Sequence, residues 1–367
     1  MNRFSKFKLT IIDYYIIKKF LGTFIFALIL IITIAVIFDV SEKLDDFMTH
    51  HATFKQVIFS YYLNFIPYFA VLFSSLFTFI SVIFFTSKMA YNTEIISILS
   101  SGTSFRRLLY PYIISAGLIS SFSFFLSNFV IPHANENRFI FEEKYVRSHS
   151  FKNTQIDIHQ QIEPDVYIYM SSYDNKNGDG RQFSMEKFKG IHLEYKMMAD
   201  NIHWDSIKNK WSVTNYYIRT IKGNKETIST GAKKDIKINI DQKQFSRREN
   251  FMEAMSLKEL NTYIKRLKMQ GSDNVNLNII EREKRIAFPF STFILTMIGV
   301  TLSTRKVRGG IGVHIGTGLT LSFAYILFLQ FSSQFAISGS LSPMLAAWIP
   351  NIIFTFISLY LYRIAPK

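Results

Sequence analysis

Few side chains in this chain are placed to do chemistry, and most of them are disqualified by their neighbours. There is no cysteine, which removes disulfides, zinc ribbons and thiol nucleophiles together. No Gly-x4-Gly-Lys-Ser/Thr loop, His-Glu-x2-His pair or Gly-x-Ser-x-Gly elbow occurs, so nucleotide hydrolysis, zinc proteolysis and serine acyl transfer all lack their residues. The glycine cluster from Gly309 to Gly318 resembles a phosphate cradle only superficially, because no strand precedes it and it opens an apolar run. Gly312 and Gly316 instead make a small-x3-small face, where missing side chains let a second helix come close. Tyrosines apart, His314 is the one ionisable residue inside an apolar run. It reads either as a proton relay or as a structural histidine near an interface. No carboxylate pair or His/Asp cluster accompanies it, which argues against an intramembrane enzyme.

One short segment carries more information. Residues 92–102, Asn-Thr-Glu-Ile-Ile-Ser-Ile-Leu-Ser-Ser-Gly, combine a cap, the acid Glu94 in the first turn where the helix dipole favours it, an apolar stripe and the terminal glycine Gly102. The pattern predicts a compact amphipathic helix. Such a helix either rests on lipid headgroups or docks a partner.

The elements around it are set by charge-free runs. Phe20 to Phe38, Gln56 to Ser87 and Leu108 to Ile131 each exceed the roughly 18 apolar residues that cross a bilayer as a helix. A second group begins with Ile286 to Thr304. The stretch from Gly309 to Tyr362 contains no Asp, Glu, Lys or Arg, which is too long for one span. Its only cluster of turn formers, Ile337 to Pro343, divides it into Ile311 to Ala336 and Met344 to Tyr362. Six spans result, three on each side of an insert. The composition agrees, with 49% hydrophobic residues beside 19% charged, most of the charges falling between His133 and Arg285.

The net charge of +15 would suit a nucleic-acid binder, but its distribution argues against one. Basic residues gather at alternate span ends. Arg3, Lys6, Lys8, Lys18 and Lys19 precede the first span. Lys88, Arg106 and Arg107 separate the second from the third, and Arg305, Lys306 and Arg308 the fourth from the fifth. Arg363 and Lys367 close the chain. These ends are expected in the cytoplasm, with both termini, and the insert on the opposite side. The basic stretch before the first span is not a cleaved signal, because the apolar run is too long and ends Val36-Ile37-Phe38-Asp39 without small residues.

The insert reads mainly as short strands: Asp165 to Tyr173, Gly190 to Met198, Ala199 to Trp204, Trp211 to Ile221 and Asp235 to Ile240. Turn formers at 174–180 and 222–225 separate some of them, and the spacing suggests an antiparallel sandwich or open barrel. From Ser256 the pattern becomes helical: Ser256 to Glu259 is a capping box, and Leu257, Leu260, Ile264 and Leu267 share one face up to Gly271. The expected division is 1–132 for the first membrane half, 133–255 for the β domain, 256–285 for a connecting helix and linker, and 286–367 for the second membrane half.

Four stretches carry a resemblance. They are Ile12-Asp13-Tyr14-Tyr15-Ile16-Ile17-Lys18-Lys19-Phe20, Glu94 to Ser104, Arg285-Ile286-Ala287-Phe288-Pro289-Phe290, and Leu341 to Asn351. Together with the three-plus-three order they resemble the LptF/LptG (YjgP/YjgQ) permease family, the tail and the N-terminal motif being more similar to the LptG branch. The resemblance implies a polytopic α-helical protein of the Gram-negative inner membrane with a periplasmic β-jellyroll. It implies a transporter subunit, not an enzyme, that binds no cofactor itself while ATP is used by a separate ABC ATPase dimer. The implied partners are a second permease of the same type, LptC- and LptA-like periplasmic bridge proteins, lipopolysaccharide and membrane lipid. The segment after span two is then the ATPase-coupling helix, with Glu94, Ile95, Leu99 and Gly102 transmitting closure. The cargo gate would lie along spans one and five, with Phe38 and, as a substitute for a basic residue of some relatives, Lys43. A membrane-anchored sensor or scaffold whose β domain binds a ligand without transport is the competing reading.

Overall fold

The computed structural model describes residues 9–146, 154–174, 177–205, 210–223, 225–238, 251–272, 274–304 and 310–365. Arg3, Lys6, Lys8, Arg305, Lys306, Arg308, Gly309 and Lys367 lie outside them, as do the turn residues Asn175, Lys176 and Asn224 and the end of the expected strand at 239–240.

Among the described residues, six helices are long and apolar enough to cross a membrane. Span one is Ile11–Thr49, span two Phe54–Tyr91, span three Phe105–Tyr145, span four Val275–Ser303, span five Gly310–Ile337 and span six Pro343–Ile364. The first four outrun their charge-free cores, span four by starting at Val275, ahead of Glu281 to Arg285. A helix does not end where lipid ends, and span one continues through Asp39, Glu42, Lys43, Asp45 and Asp46 before stopping at His50. Spans two and three each contain a π-helical turn, at Val57–Tyr62 and Leu126–Val130. The expected turn between spans five and six is present, with Gly339 at φ +81° and Ser342 capping span six.

The chain forms two compact units, one holding the spans together with residues 253–257, the other holding the strands and residues 258–275. Spans two and four are the interior of the membrane unit. Ser75 Oγ meets Ser291 Oγ at 2.7 Å between them, and Gly299 lets span four approach Val82 and Phe79. Asn351 of span six accepts from Tyr325 Oη of span five at 3.0 Å and donates to the Ala287 carbonyl of span four at 2.8 Å. Such polar ties hold helices together where lipid supplies no hydrophobic drive.

Among the described residues of the second unit, six antiparallel strands pair in sequence order: β1 Thr154–Glu163, β2 Val166–Asp174, β3 Asp179–Lys189, β4 His192–Asp205, β5 Lys210–Lys222 and β6 Lys225–Ile236. The inserted all-β domain is as expected, but among the described residues its connectivity is that of a meander. One face is apolar, with Ile168, Met170, Phe183, Met197, Trp211 and Val213 at its centre. The two strands expected at Gly190 to Met198 and Ala199 to Trp204 are one strand, β4. The alternation along this strand is broken, and the break has a physical origin. Asp157, Gln182 and Asn215 adopt φ of +57°, +50° and +50°, and together with Ser171 and Asp200 they form a row skipped by the ladder pairing. Across that row buried and exposed positions exchange phase, so the sheet bends without ending. Of the strand expected from Asp235, Asp235 and Ile236 are the end of β6, and Lys237 and Ile238 belong to no strand. Strands β1 and β3 escaped the pattern because Gln160-Gln161 and Arg181-Gln182 interrupt the apolar alternation. The helix expected from Leu257 runs to Met269 and buries Leu260, Ile264 and Leu267.

Candidate functional site

The segment between spans two and three folds as the seven-residue elbow helix Glu94–Ser100. Span two ends at Tyr91, and Thr93 takes φ +63° to turn the chain, a costly conformation for a β-branched residue that no sequence pattern announces. Gly102, at φ +86°, ends the helix as its position predicts, and its N–H donates to the Leu99 carbonyl at 3.1 Å.

The expected coupling residues have different surroundings. Ile95 is fully buried among Ile16, Phe20, Phe85, Phe105 and Leu109, with Ile98 and Leu99 half-buried beside it. This face anchors the elbow to spans one, two and three. The opposite face is the free one, formed by Ile96 (47% exposed) with Ser97 and Ser100. Ile96 was not singled out from the sequence. The spacing of 95, 98, 99 and 102 marks the inward stripe, which leaves Ile96 as an isoleucine on the polar side.

Glu94 lies at the edge between the two faces. Its carboxylate accepts from Tyr15 Oη at 3.1 Å and from Asn92 Nδ2 at 3.4 Å. Nearby, Thr10 and Asp13 form a complete capping box at the start of span one. Arg107 reaches the same carboxylate with both terminal nitrogens: Nη1 donates to Asp13 Oδ1 at 2.6 Å, and Nη2 pairs with Oδ2.

At the other end of span one, Phe38 is 72% exposed, an apolar surface facing outward. Lys43 does not project as a free cation. It pairs with Asp39 at 2.6 Å, donates to Tyr61 Oη and lies over the Tyr61 ring, while Asp39 also accepts from Tyr61 at 3.2 Å and Tyr62 at 3.1 Å. Around Gly312 and Gly316 no atom of the described chain would meet an added Cβ. The close approach in span five falls at Gly318, against Ile83 of span two. His314 is buried.

A further polar cluster was not anticipated. Arg138, 8% exposed, pairs with Glu142 at 3.7 Å and covers the Tyr68 and Phe139 rings. Asn135 Nδ2 donates to the Glu253 carbonyl, and Arg285 binds the Met255 carbonyl at 2.6 Å and Glu281 at 3.1 Å. Burial, followed by repulsion from Glu281, pushes the Glu253 carboxyl up to about 7 despite Arg138 and Arg285. The i,i+4 pairs Arg138/Glu142 and Glu281/Arg285 were the available sign; nothing local showed that three separate segments would meet.

Six apolar helices in two groups of three about a strand insert define a polytopic membrane protein. The family model described as lipopolysaccharide export system permease LptF/LptG matches residues 14–364, nearly the whole chain, and the chain belongs to that family. The match covers both branches of the family and assigns the chain to neither. It makes the chain a multi-pass inner-membrane transporter subunit for lipopolysaccharide export. No curated protein sequence matches it.

Proposed function

We propose that this chain is one permease subunit of an ATP-driven complex that extracts lipopolysaccharide from the outer leaflet of the inner membrane and passes it to a periplasmic bridge. The observation that carries the reading is the two-faced elbow helix. Ile95 fixes one face into spans one to three, and Ile96, Ser97 and Ser100 offer the other to a partner. A separate ABC ATPase dimer docks there and hydrolyses ATP, since this chain has no nucleotide loop of its own. In that arrangement the basic span ends and both termini face the cytoplasm, and the strand unit faces the periplasm, where LptC- and LptA-like proteins receive the cargo.

Spans one and five have the most lipid-facing surface, with 11% and 22% of their most apolar stretches buried, which suits a gate shared with a second permease. The open face of Gly312 and Gly316 is where a helix of that subunit packs. Phe38 meets acyl chains, and Lys43 serves as a pin within the Asp39 and Tyr61 cluster.

Replacing Glu94 by Lys tests the assignment. The variant should remain in the membrane yet lose copurification of the ATPase and ATP-coupled lipid release. Normal release from that variant contradicts the proposal, and a wild-type chain that purifies from cells without any ATPase favours a sensor or scaffold.

A further inference from the structure

We propose that Asp13, Arg107 and Tyr15 are positioning residues that yoke the start of span one to the elbow helix, so that force entering at Glu94–Ser100 moves span one directly. The inference rests on the proposed function, which makes the elbow the point where force enters.

Asp13 is 1% exposed. Its carboxylate accepts from the Thr10 backbone N–H at 2.7 Å and the Thr10 hydroxyl at 2.9 Å, as well as from both terminal nitrogens of Arg107. The capping box alone would start the helix, and it is complete without the arginine. What Arg107 adds is a bidentate tie across to span three, and a planar fork on a carboxylate fixes orientation as well as distance. Arg107 is also held at its own base, where its backbone N–H donates to the Ser104 cap at 3.3 Å.

A second tie lies on the other side of the elbow. Tyr15 Oη donates to Glu94, the first residue of the elbow helix. The first turns of span one are thus held to both flanks of the elbow, by Glu94 where it begins and by Arg107 just beyond its end. Beneath the two ties Ile16 and Phe20 are fully buried in the same core as Ile95, and Phe20 stacks on Phe85 with ring centroids 5.6 Å apart.

The grip is local. Past Phe24, span one exposes Ile25, Phe26, Ile29, Leu30 and Ile37, with Leu28 half-buried against the same core, and it packs on a second core through Ala35, Val36, Val40 and Phe47. A helix clamped at one end and little packed through its middle is built to be moved from the clamped end. Without the yoke, displacement of the elbow would reach span one only through side-chain packing; with it, span one and the elbow shift together.

The test uses the complex copurified through a tag on this chain. Because the chain has no cysteine, spin labels can be placed on introduced cysteines at Ile11 (90% exposed) and at Ser101, the exposed residue that follows the elbow helix and lies outside its docking face. Their separation should be the same in the nucleotide-free and vanadate-trapped states. Arg107→Gln should broaden that distribution and lower lipopolysaccharide released per ATP by about three- to ten-fold, with complex yield and ATP hydrolysis retained. Tyr15→Phe removes one hydroxyl at a partly exposed site, so folding is not at stake, and it should lower release per ATP by about two-fold. A label separation that changes between nucleotide states overturns the yoke, as does full release per ATP in the Tyr15→Phe variant. If Glu94→Lys loses the ATPase while Arg107→Gln and Tyr15→Phe keep full release per ATP, the yoke alone fails. If Glu94→Lys keeps both ATPase and release, the proposed function itself fails.

Discussion

Spans two and four are apolar enough for lipid, as spans one and five are, yet the two pairs occupy opposite environments. Of their most apolar stretches, 56% and 61% are buried in spans two and four, against 11% and 22% in spans one and five. The difference follows side-chain size and polarity. Span two carries Ser74, Ser75, Thr78, Ser81, Thr86 and Ser87 on its buried side, and span four carries Ser291, Thr292, Thr296, Gly299, Thr301 and Ser303. Spans one and five instead turn Phe26, Ile29, Phe38, Phe323, Leu327 and Phe331 outward. Lipid is as apolar as leucine, so hydropathy finds spans without ranking them. Small and hydroxylated residues mark the helices that pack on other helices.

Overpacking the interior should break this contrast most strongly. A Cβ at Gly299 would come within 2.9 Å of Val82 Cγ1, so Gly299→Val should cost about 2–3 kcal/mol and lower the melting temperature in detergent. Gly312→Val and Gly316→Val, which meet nothing within 4 Å, should leave the melting of the isolated chain unchanged. If all three behave alike, the interior is not where the helices are said to touch.

The polar interior extends beyond the spans to Glu253, and its titration is the next largest effect. The carboxyl sits near 7 in the folded protein, above the 4.5 of an unperturbed glutamate, so the folded state holds its proton where the unfolded state has released it. Stability should therefore fall as pH rises from about 4.5 to 7, by roughly 1–2 kcal/mol once partial exposure is allowed for, and Glu253→Gln should flatten the profile. Melting curves across that pH range decide it.

Smaller effects sharpen the picture. Asn351→Leu leaves Tyr325 Oη without its acceptor and the Ala287 carbonyl without its side-chain donor, which should cost about 1–2 kcal/mol. Ser75→Ala, removing one hydroxyl contact with Ser291, should cost about 0.5 kcal/mol. A loss at Ser75 larger than at Asn351 would mean the span two and four seam matters more than the tie between spans four, five and six.

The spans were legible because the bilayer imposes a length and a polarity that one sequence displays directly. Their ends were not, since charged residues such as Asp39 and Lys43 continue the helix beyond the apolar run. In the strand unit, β2 and β5 showed their alternation, whereas the bent row at Asp157, Gln182 and Asn215 hid the continuity of β4. The elbow was visible through Glu94 and Gly102. Which of its faces points outward required Ile95 to be seen inside the core. Asp13 and Arg107 are 94 positions apart and neither is unusual locally, so only the fold could pair them.

The central claim is that the outward face of the elbow receives the ATPase, and site-specific cross-linking on the cysteine-free chain tests it most directly. Single cysteines at Ile96, Ser97 and Ser100 should each cross-link to the copurifying ATPase, while one at Ser338, in the turn between spans five and six, should not. Cross-linking at Ser338 with none at Ile96, Ser97 or Ser100 would contradict the account.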